Sequence, residues 1–393
     1  MDLEKKILLL YIISISFLVF SGRLLVPTLT GNIENSLDIN HVEIGLGMTL
    51  LWLFYGLMQF PSGILSDEKG RKPVANLSIF IFAIAFLIMS LATDYPLFLL
   101  SLILLGTGFG CFYTVSISMI SDRFKNKGKV IGTQSAMASL AGITPLLILP
   151  LADHIGWRPL IVLYAITSII IGILFYNHVP EEKQGRQSKK EGLHNGINIF
   201  RDTNVTYLLF INVIMQFIWV GLVSFLPLYL IEGKGINETA AAIIFSLIFF
   251  TGLFVRPLIG HLSDVYNNKI LIISILCISA ASCFLLTQVS SLLMTTVGVI
   301  LTATLSAFFP LRSTYLMKRW SSKTRGSQMG MYTTVVIILS SLSPCMIGLS
   351  LKKYTFDDIF LVFSIIIVIA AISVILIKYV YPFTQEKKET AKS

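Results

Sequence analysis

Residues 63–74 read GILSDEKGRKPV and lie between two long apolar stretches of the chain. A reduced copy, GHLSDVYNNKIL, returns at residues 260–271 and keeps a glycine and an aspartate, Gly260 and Asp264, in register. Glycine lets a neighbouring backbone approach closely, and a carboxylate stabilises a helix whose positive dipole end it faces. The two stretches therefore predict a structured polar turn between two helices, and the chain carries this turn twice.

The composition predicts a membrane protein. Of the 393 residues, 55% are hydrophobic and only 13% are charged, with a mean hydropathy of +0.80, whereas a soluble domain carries about 25% charged residues. The apolar residues form runs of about 20, the length that crosses a hydrocarbon core of about 30 Å. These runs predict an all-α polytopic protein with spans 1 to 12 at residues 7–33, 42–65, 73–93, 96–120, 129–151, 159–179, 205–231, 238–262, 269–288, 291–317, 327–351 and 358–380.

The distribution of charge predicts the orientation of the spans. The net charge is +9, yet the lysines and arginines concentrate in alternate loops, and only four fall in the loops on the other side, namely Arg158, Lys234, Lys352 and Lys353. Cytoplasmic loops carry such an excess of Lys and Arg. We therefore expect a multi-pass protein of the cell membrane with both termini in the cytoplasm, and the basic balance does not indicate a nucleic-acid partner.

The chain divides into two similar halves. Residues 181–196 are polar and charged, which predicts an N-terminal six-helix half at 1–180, a cytoplasmic linker at 181–204 and a C-terminal half at 205–393. Pro27 and Pro145 recur as Pro227 and Pro344, at offsets of 200 and 199. A duplicated six-helix unit is typical of transporters that bind substrate between the halves near the middle of the membrane.

The stretch GILSDEKGRK resembles the signature loop of the major facilitator superfamily, G-x-L-x-D-x-x-G-R-K, between helices 2 and 3. All six fixed positions are filled, by Gly63, Leu65, Asp67, Gly70, Arg71 and Lys72. The twelve spans and the central linker extend the resemblance over nearly the whole chain. It implies two pseudo-symmetric six-helix bundles and a gradient-driven transporter that works by alternating access.

The resemblance also implies a conformational latch at this loop. Asp67 is placed to face the start of span 11, and Arg71 is placed to bridge to Asp122 at the end of span 4. In the second copy Asn267 and Asn268 replace the Gly-Arg pair, which leaves an arginine bridge there in doubt. The alternative interpretation is a charged turn that only sets topology. The predicted latch residues are Gly63, Asp67, Gly70, Arg71, Asp122, Gly260 and Asp264.

Polar and aromatic side chains within the spans are candidates for a substrate cavity, because polar groups are costly in a membrane. Two sets recur at helical spacing: Trp52, Tyr55 and Gln59 on span 2, and Asn212, Gln216 and Trp219 on span 7. Such faces suit a wet cavity that recognises a solute through amides and rings. The alternative is hydrogen bonding between helices, worth about 0.6 kcal/mol per contact.

Three arginines within spans are further candidates for the substrate cavity: Arg23, midway along span 1, with Arg256 and Arg312. A guanidinium in the middle of a membrane costs about 2.5–3.5 kcal/mol, so each needs a cavity or a partner. No carboxylate lies mid-span. Arg256 is interpreted as reaching towards the cytoplasm to join the loop network. For Arg23 and Arg312 we hypothesise a shared positive field that selects anionic or electron-rich substrates.

The sequence thus predicts a secondary transporter of a small organic solute. Efflux of a drug-like or amphipathic metabolite is the first expectation; uptake or exchange of an organic anion is the alternative, and a transport-dead sensor of the same fold is the alternative class. No enzyme, cofactor or metal motif occurs, and we expect a monomer in the bilayer. A proton is a candidate coupling ion. Without a mid-span carboxylate, Glu34, Asp38 and Glu43 are its nearest carriers, and the five histidines lie in loops or at span ends.

Overall fold

A computed structural model describes residues 3–124, 127–180, 198–320 and 325–376. Twelve helices among these residues are long and apolar enough to cross a membrane, which confirms the predicted fold. Span 1 is Leu3–Thr28, span 2 His41–Lys69, span 3 Arg71–Leu91, span 4 Tyr95–Arg123, span 5 Lys127–Leu140 with Thr144–Ile155, span 6 Trp157–His178, span 7 Thr203–Leu228 with the π turn Tyr229–Gly233, span 8 Glu238–Val265, span 9 Asn268–Gln288, span 10 Leu292–Thr302 with Thr304–Arg319, span 11 Arg325–Ser340 with Ser343–Ser350, and span 12 Phe356–Leu376.

The repeated prolines mark equivalent irregularities in the two halves. Span 5 passes through a 3₁₀ turn at Ala141–Ile143 before the second piece begins with Pro145 near its start, and span 11 is interrupted before Pro344 in the same way. Pro227 immediately precedes the π turn of span 7. Proline lacks an N–H and its ring clashes with the carbonyl four residues earlier, so helices bend or stop there.

Span 1 ends earlier than the sequence predicts. The prediction extends it to residue 33, but the helix stops at Thr28, and a separate short helix follows at Thr30–Leu37. Pro27 weakens the last turn, and the hydroxyl of Thr28 donates to the carbonyl of Leu24 at 2.6 Å. The short helix lies between spans 1 and 2 and places Glu34 at the end of the bundle where span 2 begins.

Three spans of the N-terminal half pack backbone to backbone through the glycines of span 4. Added methyl groups on Gly106 and Gly110 would lie 3.0 Å from the carbonyl carbons of Leu51 and Tyr55 in span 2. A methyl group on Gly108 would lie 2.9 Å from the carbonyl oxygen of Ser78 in span 3. Alternate glycines thus face opposite neighbours, and span 4 holds spans 2 and 3 together.

Most buried apolar side chains form two cores, one for each half. Leu24 of span 1 joins the core of the C-terminal half, and Val220 of span 7 joins the core of the N-terminal half, so spans 1 and 7 pack against each other at the interface. The proposed division at 181–204 remains a prediction, since residues 181–197 lie outside the described part of the chain.

The halves meet tightly at one end of the bundle, here called the His41 end. Gly45 of span 2 lies against the carbonyl of Pro344 in span 11, and Gly348 lies against the carbonyl of His41. The backbone N–H of Cys345 donates to the hydroxyl of Thr49 at 3.0 Å. These contacts close the interface at this end.

The opposite end, here called the Gly63 end, leaves space beside its glycines. A methyl group added to Gly132, Gly260 or Gly330 would meet no atom within 4 Å, and one on Gly63 would meet only Thr114 of its own half, at 3.6 Å. Gly132 and Gly330 are repeat partners in spans 5 and 11. The described residues therefore show close backbone contacts between the halves at the His41 end, and none of this kind at Gly132 and Gly330 of the Gly63 end.

Candidate substrate site and its gates

The Arg23 guanidinium lies within a group of aromatic rings in the N-terminal half. Its Cζ lies 4.6 Å from the ring centre of Phe20, 4.8 Å from that of Tyr55 and 5.3 Å from that of Trp52. Rings within about 6 Å attract a cation through their quadrupoles. Arg23 lies five residues before the end of span 1 and not midway along it, but the stem of a helical side chain leans toward the helix N-terminus, and the rings it reaches are deeper in the bundle.

Arg312 occupies a comparable place in the C-terminal half. Its Cζ lies 5.3 Å from the ring centre of Phe309 and 5.5 Å from that of Tyr332. Its Nε and Nη1 atoms and the hydroxyl of Tyr332 are buried, and none of the three lies within hydrogen-bond distance of a partner in the described part of the chain. Buried donors of this kind are costly until something accepts from them. The arrangement suits a ligand that carries hydrogen-bond acceptors.

Tyr113 of span 4 connects the two arginine environments. Its ring centre lies 6.3 Å from that of Tyr55 and 6.4 Å from that of Phe20, which belong to the Arg23 group. It is also close enough to interact electrostatically with Arg312. Tyr113 thus extends the aromatic group around Arg23 toward the C-terminal half.

The two predicted polar faces point into the protein. All six side chains are less than a tenth exposed: Trp52, Tyr55, Gln59, Asn212, Gln216 and Trp219. Gln59 accepts a long hydrogen bond, 3.5 Å, from Thr333 of span 11, which is the interhelical role that the alternative interpretation predicts. Both polar atoms of the Asn212 amide and the Nε1 atom of Trp52 have no partner, so these two remain candidates for contact with a ligand.

The Nε atom of Arg256 bonds within its own half, and the expectation that this side chain joins the loop network stays a prediction. The Nε–H donates to the hydroxyl of Ser306 in span 10, at 3.1 Å, and Ser306 is fully buried. Ser306 in turn donates to the carbonyl of Ala303. The hydroxyl is available one helix away, and a bond to it offsets the loss of water around the guanidinium. Arg256 thus joins spans 8 and 10 within its own half.

At the Gly63 end, Arg71 forms the ion pair with Asp122 that the sequence predicts. Its Nε lies 3.2 Å from the carboxylate, and its Nη1 donates to Ser66 at 2.6 Å. Gly70 separates spans 2 and 3 with φ of +96°, a conformation that favours glycine. The side chains of Asp67 and Asp264 lie outside the described residues, so their predicted contacts with spans 11 and 5 stay predictions.

The C-terminal half has a different ion pair at this end. Arg319, at the end of span 10, lies 2.5 Å from Asp202, which caps the start of span 7 by accepting from the N–H of Asn204. In the C-terminal half, where Asn267 and Asn268 replace the Gly-Arg pair, Arg319 thus joins the end of span 10 to the start of span 7.

At the His41 end, an imidazole lies between two carboxylates. The Nδ1 of His41 is 2.7 Å from Glu34 of the short helix, and its Nε2 is 3.2 Å from Glu232 at the end of span 7. Single ligand atoms of these three residues lie within 4.8 Å of one another, the one such group among the described residues that could hold a metal ion. The two carboxylates face opposite ring nitrogens, however, which suits hydrogen bonds from the ring better than ligation of one ion.

Sequence reasoning missed four aromatic residues of the site: Phe20, Tyr113, Phe309 and Tyr332. Phe20 and Phe309 precede Arg23 and Arg312 by three residues, and residues three apart are neighbours on a helix. That spacing was available in the sequence. Tyr113 and Tyr332 reach the arginines from other spans, so no local pattern indicates them.

The comparisons with known proteins agree with the resemblance found in the sequence. The family model of the Major Facilitator Superfamily matches residues 11–344 and 208–393. A solved bacterial homologue of the human lysosomal transporter Spinster, in an inward-facing and unoccupied conformation, superposes with a TM-score of 0.81 at 17% identity, over 96% of this chain and 97% of that one. Such a likeness shows the shared fold.

The curated relatives carry different solutes. A probable nitrate/nitrite antiporter of Thermus thermophilus is 26% identical over 68% of this chain and 64% of its own length, and a hexuronate transporter of Bacillus subtilis is 22% identical over 70% of each. A multidrug resistance protein of Salmonella heidelberg is 28% identical over 33% of this chain and 34% of its own. The chain thus spans less than two thirds of the length of the first and the third.

Proposed function

Because the chain belongs to the Major Facilitator Superfamily, whose members are membrane transporters and not enzymes, we propose that it is a secondary transporter of a small anion. The anion binds at the aromatic-lined arginines Arg23 and Arg312. The proposed class is a solute with a carboxylate or a similar planar oxyanion, carried as an organic acid or as an inorganic ion.

One observation carries the proposal: among the described residues, the guanidinium groups of Arg23 and Arg312 lie against aromatic rings and form no ion pair with a carboxylate. An uncompensated charge in a membrane protein is costly, and arginine presents several N–H groups in a plane that matches an oxyanion. Among the described residues, no acceptor lies within hydrogen-bond distance of the Nε and Nη1 atoms of Arg312. An anion would neutralise the site and accept these hydrogen bonds, whereas a cationic solute would add to its positive charge.

The names of two relatives support this choice over export of an amphipathic compound. The nitrate/nitrite and hexuronate transporters are named for anions, and both align over more than two thirds of this chain. The multidrug relative aligns over 33%, which leaves drug efflux as a second candidate. Drug efflux predicts a site that tolerates bulky cations, whereas the positive charges of Arg23 and Arg312 would repel a cation.

The transport cycle follows from the geometry of the two ends. With the termini in the cytoplasm, as the distribution of lysine and arginine predicts, the closed His41 end faces outward and the looser Gly63 end faces the cytoplasm. In the proposed cycle, an anion at Arg312 exchanges with the cytoplasm when the Gly63 end is open. Rocking of the halves about the site then opens the His41 end, and the contacts between spans 2 and 11 must separate.

Binding and flux assays test the proposal. Purified protein in proteoliposomes is given nitrate, glucuronate, glucose or tetraphenylphosphonium, with and without a pH gradient. We expect saturable thermal stabilisation and counterflow with at least one anion and with neither glucose nor the cation. Transport of the cation alone would overturn the proposal in favour of drug efflux. Specific anion binding without any flux would support the sensor alternative.

A further inference from the structure

His41 occupies a fixed position at the boundary between the two halves. It begins span 2, and Asn40 before it caps the helix while Glu43 closes a capping box by accepting from the backbone N–H of Asn40 at 2.9 Å. The carbonyl of His41 packs against Gly348 of span 11, where an added methyl group would come within 2.5 Å of it. The start of span 2 therefore cannot shift without disturbing the contact with the other half.

The two carboxylates at the ring belong to different halves. Glu34 lies in the short helix of the N-terminal half, 2.7 Å from Nδ1, and Glu232 ends span 7 in the C-terminal half, 3.2 Å from Nε2. A neutral imidazole has one N–H and can donate to only one of them. The doubly protonated ring donates to both, so this arrangement matches the imidazolium form.

The His41 ring is accessible from the solution at the His41 end. A cavity of about 310 Å³ is lined by Glu34, Asn35, Asp38, Ile39, Asn40 and His41. The His41 side chain is one third exposed. The ionisable groups that act on the ring are Glu34 and Glu232, while the carboxylate of Glu43 is held at the helix cap. Protons can therefore exchange with the ring from the outer solution while the gate stays closed.

We propose that His41 is a proton-binding site of the outer gate, and that the proton it holds between Glu34 and Glu232 stabilises the closed gate. When the halves separate at this end, Glu232 moves away with its half and Glu34 stays, so the ring keeps one carboxylate of two. By linkage, the state that holds the proton more tightly is the one that acid favours. Acid outside should thus close the gate and alkali should release it.

The proposal does not depend on which solute is carried. It rests on the closing of the His41 end and on the placement of one ring between two halves. The proposal places a proton-binding group beside Glu34, which the sequence indicated as a candidate proton carrier. It requires no carboxylate in the middle of a span.

A distance measurement tests the gate without a substrate. Spin labels are attached at Gly31→Cys, in open space on the short helix, and at Lys353→Cys, exposed beyond span 11, after the native cysteines are changed to serine. In nanodiscs we expect two populations, one with a short and one with a long distance between the labels. The ratio of the short-distance to the long-distance population should rise at least about fivefold from pH 8 to pH 5.5. An unchanged ratio would overturn the proposal.

Variants separate the ring from its surroundings. His41→Gln should remove the pH response, His41→Arg should keep the gate closed at both pH values, and Glu232→Gln should weaken the response. Asp38→Asn is the matched control, because Asp38 lines the same cavity without an ion pair to the ring, and it should respond as the parent does. A response that survives in His41→Gln would refute the assignment. Loss of the parent's response on adding EDTA would show that a metal ion occupies the group instead.

Discussion

The carbonyl oxygen of Pro344 lies so close to Gly45 that a methyl group on the glycine would come within 2.5 Å of it. Pro344 begins the outer piece of span 11, and Gly45 lies in the second turn of span 2. Only a residue without a side chain allows this approach. The closed state of the His41 end therefore requires glycine at position 45, whereas the state in which the halves have separated there does not.

Gly45→Ala should shift the protein toward the state that is open at the His41 end. Overpacking costs about 1–3 kcal/mol, which corresponds to a change of roughly 5- to 150-fold in the ratio of the two states. The spin-label distances described above measure this ratio at a fixed pH. Gly31→Ala is the control for background helix effects, made in the unlabelled protein and compared by thermal stability, because Gly31 has no atom within 4 Å of the added methyl group. Equal distances in Gly45→Ala and the parent would contradict the prediction.

Arg23→Gln and Arg312→Gln should each weaken anion binding about 10- to 150-fold, because hydrogen bonds to charged groups contribute about 1.5–3 kcal/mol. Thermal stability of the empty protein should change little. Arg256→Gln is the matched control: its Nε–H bonds Ser306, so it should lose stability and retain binding. Titration of purified protein with the anion that passes the transport assay gives both values. Normal binding in both cavity variants would exclude the arginine site.

At the predicted latch, Arg71→Gln should reduce the maximal transport rate about fivefold, the effect of losing a partly exposed ion pair worth about 1 kcal/mol. Lys72→Gln should have a smaller effect, because the Nζ of Lys72 lies 4.7 Å from the ring centre of Tyr176 and lysine lacks the planar fork with which Arg71 bridges to a carboxylate. Asp67→Asn, which keeps shape but removes charge, should reduce transport strongly in protein that is still inserted. Initial rates per inserted molecule test all three, and full activity in Asp67→Asn would disprove the latch.

Gly110→Ala should destabilise the N-terminal half by about 1–3 kcal/mol, since the methyl group would press on the backbone of Tyr55 in span 2. Gly132→Ala adds the same atom where no neighbour lies within 4 Å and should be neutral. Thermal unfolding in detergent compares the two. A common melting temperature would show that spans 2 and 4 can separate without cost.

The sequence predicted the spans well because a membrane imposes a length and a hydrophobicity on each of them. It predicted the ends less well. Span 1 was extended past Pro27 to residue 33, because hydropathy alone does not register the missing N–H of a proline. The repeat offsets, by contrast, paired Pro145 with Pro344, and the structure has an irregular turn before each of them.

The site was predicted in part. Arg23 and Arg312 stand out because a cation within an apolar span is costly wherever it occurs. Their partners Tyr113 and Tyr332 come from other spans, and the contact between His41 and Glu232 joins residues that are 191 positions apart. Such pairs are set by how helices pack, which a single sequence does not encode locally. The same limit explains Arg256, whose partner Ser306 lies two spans further along the chain.

The glycine contacts of span 4 also bear on how the protein is made. Gly106 and Gly110 bring spans 2 and 4 together through neighbours less than sixty residues apart, and these contacts can form while later spans are still being synthesised. The positions 197 residues further on are Ala303 and Ala307, whose methyl groups keep helices farther apart. The first half can therefore assemble in the membrane as a compact template, and the second half, with its looser joints, can dock on it when the ribosome releases the chain.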